Sequence, residues 1–101
     1  MSQAIERIIL DTPRADVTPE QLATANEVGQ KLLLAIPGVE AVSFGIAISA
    51  DEPLQWYVRI RFQDEEALKT YETHPNHINF AEQYWAPLLA EHQVRDYRLE
   101  Y

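Results

Sequence analysis

Apolar residues in this chain follow two rhythms, one of period two and one near 3.6, and the order of the two predicts the fold. Ile5 to Leu10 is apolar on both faces and reads as a strand. A polar stretch from Asp11 to Val17 follows, and Thr18-Pro19-Glu20-Gln21 then marks a helix start. Thr18 is a capping residue, Pro19 suits the first helical position, and Gln21 completes a capping box. Leu22, Ala25, Gly29, Leu32, Leu33 and Ile36 recur at helical spacing as one buried stripe, which Pro37-Gly38 ends. From Val39 to Ser49 the rhythm changes to alternation. Val42, Phe44, Ile46 and Ile48 share one face, and Ser43, Gly45, Ala47 and Ser49 share the other. After a turn over Ala50 to Pro53, Gln55 to Phe62 alternates again, with Trp56, Val58, Ile60 and Phe62 opposite Tyr57, Arg59 and Arg61. These two strands are expected to form a hairpin.

Asp64 is a good cap for a second helix, with Glu65 and Glu66 at its positive end and Ala67, Leu68 and Tyr71 facing inward. That helix must falter before Pro75. A third helix is expected from about Asn76, with Phe80, Ala81, Tyr84 and Leu88 as its stripe and Pro87 interrupting it. Val94 to Tyr101 reads as a last strand. The order β-α-β-β-α-β is that of a ferredoxin-like α+β fold, an antiparallel four-stranded sheet with helices on one face. The uncovered face would carry Ile8, Leu10, Tyr57, Arg59, Arg61, Tyr97 and Leu99. Such a half-apolar surface is costly to leave wet, so a homodimer through the open face is expected. Arg59 and Arg61 would then pair with the twin's acids.

Composition narrows the function classes. A chain of 101 residues is expected to form one domain over 1–101, and 47% apolar with 24% charged residues is ordinary globular usage. With no cysteine, thiolate metal sites, disulfides and cysteine nucleophiles are excluded. A net charge of -8 repels phosphate backbones, which argues against nucleic-acid and anionic-membrane partners. No apolar run approaches the roughly 18 residues of a membrane span, and the N-terminus lacks a signal-peptide pattern, so a cytoplasmic location is expected.

Reactive side chains are densest in Tyr71-Glu72-Thr73-His74-Pro75-Asn76-His77. His77 falls on the stripe continued by Phe80 and is expected to point inward, whereas His74 precedes the proline and is expected to meet solvent. A neutral imidazole beside a phenol can move protons near neutral pH, and the phenol can donate to a developing oxyanion. The plainer reading is that His77 ties a helix start to a backbone carbonyl. His74 and His77 have the spacing of a metal pair, but two ligands do not make a site, so no metal is expected. Arg7 shares a strand face with Ile5 and Ile9. It is either an anchor for an anion or carbonyl inside the fold or an edge arginine paired with a nearby acid. Trp56 and Trp85 are expected to pack the core, and His92 to sit near a helix end where its charge favours the dipole.

Phe62-Gln63-Asp64-Glu65-Glu66-Ala67-Leu68-Lys69-Thr70-Tyr71, leading into His74-Pro75-Asn76-His77-Ile78-Asn79-Phe80, resembles the signature of the stress-responsive A/B barrel domain. That family belongs to the dimeric α+β barrel superfamily. Ile36-Pro37-Gly38-Val39 with Phe44-Gly45, and Asp96-Tyr97, resemble its second-strand and final-strand segments. The resemblance implies a homodimer with a cavity in each subunit between sheet and helices. Family members include stress-induced proteins and cofactor-independent enzymes similar to olivetolic acid cyclase. In the enzymes, the motif tyrosine and second histidine, here Tyr71 and His77, act on the substrate. Arg7 and Trp56 stand where such enzymes carry further histidines, which makes one pocket wall cationic and another bulkier.

The resulting expectation is a small organic molecule bound without a cofactor. Tyr71 and His77 would be the acid–base pair of a cyclase- or lyase-like enzyme, and Arg7, Trp56, His74 and Phe80 would contact the ligand. The alternative is a dimeric stress-response or ligand-binding module without catalysis. A third is a haem-handling or monooxygenase relative, for which His74 is the one loose candidate.

Overall fold

The computed structural model describes residues 3–48 and 56–100. Along the chain run β1 (Ile5–Pro13), α1 (Pro19–Leu34), β2 (Val39–Ile46), β3 (Trp56–Phe62), α2 (Glu65–Thr73), α3 (Pro75–Phe80) and β4 (Leu89–Arg98). A π-helical turn, Ala81–Trp85, and a 3₁₀ turn, Ala86–Leu88, join α3 to β4. The four strands form one antiparallel sheet in the order β2-β3-β1-β4, the ferredoxin-like arrangement. The turn expected over Ala50 to Pro53 lies outside the described residues.

Local signals explain most boundaries. Thr18 Oγ1 accepts from the Gln21 backbone N–H at 3.2 Å while Gln21 Oε1 accepts from the Thr18 N–H at 2.8 Å, the reciprocal capping box. Asp64 caps α2 by accepting the Ala67 N–H at 2.9 Å. Leu22, Ala25, Leu33 and Ile36 of the first helical stripe are buried against Val42, Val58, Ile60 and Phe62 of the sheet. On the opposite sheet face Arg59 pairs with Glu6 and Arg61 with Glu40, each at 3.0 Å, so both arginines find acids within their own chain.

Four expectations are corrected. β1 runs past Leu10 to Pro13, because β4 supplies a partner along its whole length. β4 itself begins at Leu89 rather than Val94, so His92 lies in a strand and not at a helix end. The inward face of β2 stops at Phe44: Ile46, its last residue, is 42% exposed, and Ile48, beyond the strand, is 99% exposed. Finally, the π turn inserts an extra residue per turn. Trp85 therefore takes the buried position that an unbroken α-helix would give Tyr84, which is left half-exposed.

Gly38 joins α1 to β2 with φ +87°, and a Cβ there would stand 2.4 Å from the Ala67 Cβ of α2. Its carbonyl accepts from Gln63 N at 2.8 Å, which fixes the junction. Gly38→Ala therefore combines left-handed strain with a clash and is expected to destabilise the fold by about 2 kcal/mol or more in urea unfolding.

Candidate functional site

The helices pack chiefly against β2 and β3 and leave β4 largely exposed. A cavity of about 370 Å³, open to solvent on one side, is left between β1, β4 and the segment from Tyr71 to Ala86. Its floor follows from strand register. Arg7 lies directly opposite Asp96, Ile9 opposite Val94 and Asp11 opposite His92, all on the covered face. An ion pair, an apolar pair and a carboxylate–imidazole pair thus follow one another along the floor. Ala81, Trp85, Ala86, Leu89 and Ala90 supply an apolar surround.

At one end of that floor, His74 ends α2 and caps α3, its Nδ1 accepting the Asn76 N–H at 3.0 Å, with Pro75 in the first helical position. This break turns the chain so that the His77 ring stacks on Tyr71, centroids 4.2 Å apart and planes 27° apart. His77 Nδ1 lies 3.3 Å from the Glu72 carbonyl, which leaves Nε2 for other partners. Arg7, its side chain 12% exposed, holds its guanidinium carbon 5.7 Å from the Tyr71 ring centroid, within cation–π range. Asp96 grips the guanidinium from Nε at 2.7 Å and from Nη2 at 2.9 Å, and Glu72 stands 3.9 Å away. The fork leaves the Nη1 N–H groups outside it.

Burial dominates the electrostatics here. It pushes the Tyr71 phenol well above its usual value, against the pull of Arg7, so the phenol is a donor at any physiological pH. It also lowers His77, a shift the Glu72 carbonyl partly opposes and the Arg7 charge reinforces. His77 is accordingly a neutral imidazole near pH 7. For Arg7 burial works against the charge, but the hydrogen bond and charge of Asp96 outweigh it and hold the guanidinium firmly protonated.

The other end of the floor holds a cluster that the sequence reading missed. Asp11 is 1% exposed, yet both carboxylate oxygens are bonded: Oδ2 accepts Trp85 Nε1–H at 2.6 Å, and Oδ1 lies 2.5 Å from His92 Nδ1. Burial raises the Asp11 carboxyl, and the bonds from His92 and Trp85 counter that rise. One signal was available: Asp11 continues the inward phase of Ile5 and Ile9, so extending β1 by one residue would have turned an acid into the fold.

The structure thus brings Arg7, Tyr71 and His77 together on one cavity. It does not bring the other three candidates there. Trp56 is fully buried, its Nε1–H donating to Asn26 Oδ1 at 2.7 Å. Phe80 is fully buried against Gly29. His74 is occupied as a helix cap. Among the described residues no group of three or more His, Asp or Glu side chains is placed to hold a metal ion, and no helix is long and apolar enough to cross a membrane.

An antiparallel ferredoxin-like sheet, with a cavity between it and a broken second helix, defines the class of protein. The sequence model of the stress responsive A/B barrel domain (Dabb) matches residues 5–99, and the chain belongs to that family. No curated protein matches it. Among solved structures it is similar to a dimeric ferredoxin-like protein of unknown function from Thermobifida fusca, at 26% identity and a TM-score of 0.85, over 98% of this chain and 93% of that one. A hydroxynitrile lyase from Passiflora edulis shares the fold at 11% identity and a TM-score of 0.84, over 99% and 96%. So does SnoaB, a cofactor-independent oxygenase from Streptomyces nogalater, at 10% identity and a TM-score of 0.80, over 99% and 96%.

Because His77 is lowered in the folded state, the unfolded chain binds a proton that the folded chain refuses. Between the ordinary imidazole value of 6.5 and His77's lower one, stability is expected to fall as pH falls. His77→Gln should flatten that part of the stability–pH curve, and the His77 ring resonances should titrate below 6.5.

Proposed function

We propose that this protein is a homodimeric member of its family that binds a small organic molecule in the cavity and acts on it by acid–base chemistry without a cofactor. The observation that carries the reading is the open, largely apolar cavity reaching Arg7, Tyr71 and His77 at once. In this reading His77, neutral at pH 7, is the general base and later the acid. Tyr71 donates its phenolic hydrogen to an oxygen gaining charge, and the free Nη1 side of Arg7 orients a carbonyl or carboxylate. A cavity of this size accepts a compact molecule, and its Trp85 and Ala81 walls favour an aromatic or aliphatic body. The lyase and the oxygenase that share the fold support the idea that this scaffold hosts small-molecule chemistry, though fold alone assigns no reaction.

The dimer is proposed to form through the open sheet face. Leu10 is 38% and Tyr97 54% exposed there, beside Ile8 and Tyr57, and the Thermobifida relative is described as dimeric. A second reading is a dimeric binding module without catalysis, favoured by the bond between His77 and the Glu72 carbonyl, which would hold the helix break by itself.

Crystals soaked in a mixture of small carboxylic and phenolic acids are expected to show density between Arg7, Tyr71 and His77. His77→Ala should then lower turnover of the bound compound about a hundredfold or more. Turnover unaffected by His77→Ala would leave the binding module standing, and a cavity that stays empty would remove both readings.

A further inference from the structure

The far end of the cavity floor is unexplained by the chemistry proposed for His77 and Tyr71. Asp11 sits where its neighbours on the covered face are Ile9, Trp56 and Trp85, and a valine or leucine would pack there without desolvating a charge. Strand pairing does not need the carboxylate, since Asp11 and His92 are already opposed in the β1–β4 ladder. Three separate elements nonetheless converge on it: β1 carries the acid, β4 the imidazole, and the π turn delivers the Trp85 indole N–H. A buried acid fully bonded to groups that line a cavity is the arrangement by which proteins fix an imidazole in one tautomer and orientation. With Nδ1 held by Asp11, the His92 ring keeps Nε2 for a bound molecule. Its side chain is 49% exposed while that of Asp11 is fully buried, so the acceptor end is the reachable one.

Register sets the spacing between the two polar ends. Arg7 and Asp11 are four residues apart on one strand, which separates their Cα atoms by about 13 Å. Between them lies the apolar pair Ile9–Val94. We infer that the cavity takes an elongated molecule with oxygen at both ends and an apolar middle, its carbonyl or carboxylate end at Arg7, Tyr71 and His77 and a hydroxyl at the other end donating to His92 Nε2. The assignment rests on reading the cavity as a ligand site and adds the class of ligand to it. Asp11 is a positioning residue in this arrangement, acting only through His92.

Two probes that differ by one hydroxyl test it: 4-hydroxycinnamate, which spans carboxylate to phenol, and cinnamate, which lacks the phenol. Calorimetric titration of the unsubstituted protein is expected to favour the hydroxylated probe by about tenfold, the worth of one added hydrogen bond at a polar site. His92→Gln should erase that preference while leaving cinnamate affinity within about twofold. Asp11→Asn should erase it too, and the double variant should be no worse than His92→Gln alone, a non-additivity that general loss of stability would not produce. His77→Gln should weaken both probes alike and keep the preference. Thermal melting of each variant separates loss of fold from loss of contact. Equal affinity for the two probes, or a preference that survives His92→Gln, overturns the second subsite and leaves the cavity reading intact. Absence of binding by either probe overturns both together.

Discussion

Everything at the candidate site depends on the pairing of β4 with β1. That ladder places Arg7 against Asp96 and Asp11 against His92 on the face that the rest of the sheet devotes to its core. Ionic groups on such a face cost several kcal/mol each when sealed from water, unless they are paired and hydrogen-bonded. Here each is paired across the strands, and the helical layer ends before β4, so one side of the floor stays wet. The same gap in the helical layer makes the cavity.

Two irregularities in the second helical segment do the aiming. At Pro75 the helix restarts under a His74 cap, and the change of direction carries His77 back onto Tyr71. Six residues after Pro75 the π turn begins, and it rotates the register so that Trp85, not Tyr84, enters the fold. Its ring packs 5.0 Å from Phe80 and 5.5 Å from Trp56, while its N–H reaches Asp11. One break therefore builds each end of the cavity. The first distortion is set by local chemistry, since proline cannot continue a helix, whereas the wide turn leaves backbone groups that neighbouring elements must satisfy.

Core and site also divide the aromatic residues between them. Trp56 and Phe80, fully buried, give the helical layer its footing on the sheet, and Gly29 lets both Phe44 and Phe80 approach α1 closely. Tyr71 and Trp85 do both jobs: they bury their rings in the core and turn an edge to the cavity. Packing then holds the polar groups in fixed orientations, so little side-chain entropy remains to be lost when a ligand arrives.

Sequence alone determined the element order, the capping of α1 and α2, the inward faces of β3 and α1 and the break at Pro75. Each of these rests on local physics: a period of two or 3.6, a side chain that caps its own helix, a proline that stops one. It also pointed to Tyr71 and His77, which lie within a few residues of each other in the family-like motif, and to Arg7 through the strand face it shares with Ile5 and Ile9. What only the tertiary structure decided was everything that depends on contacts distant in sequence. Asp11 reads as the start of a loop until β4, some eighty residues on, extends β1 past it. His92 reads as a helix end until that same strand claims it, and Phe80 reads as a ligand contact until packing against α1 seals it in. Strand edges and helix registers are settled by whichever partner arrives to pair with them, and that partner is not written in the neighbouring residues.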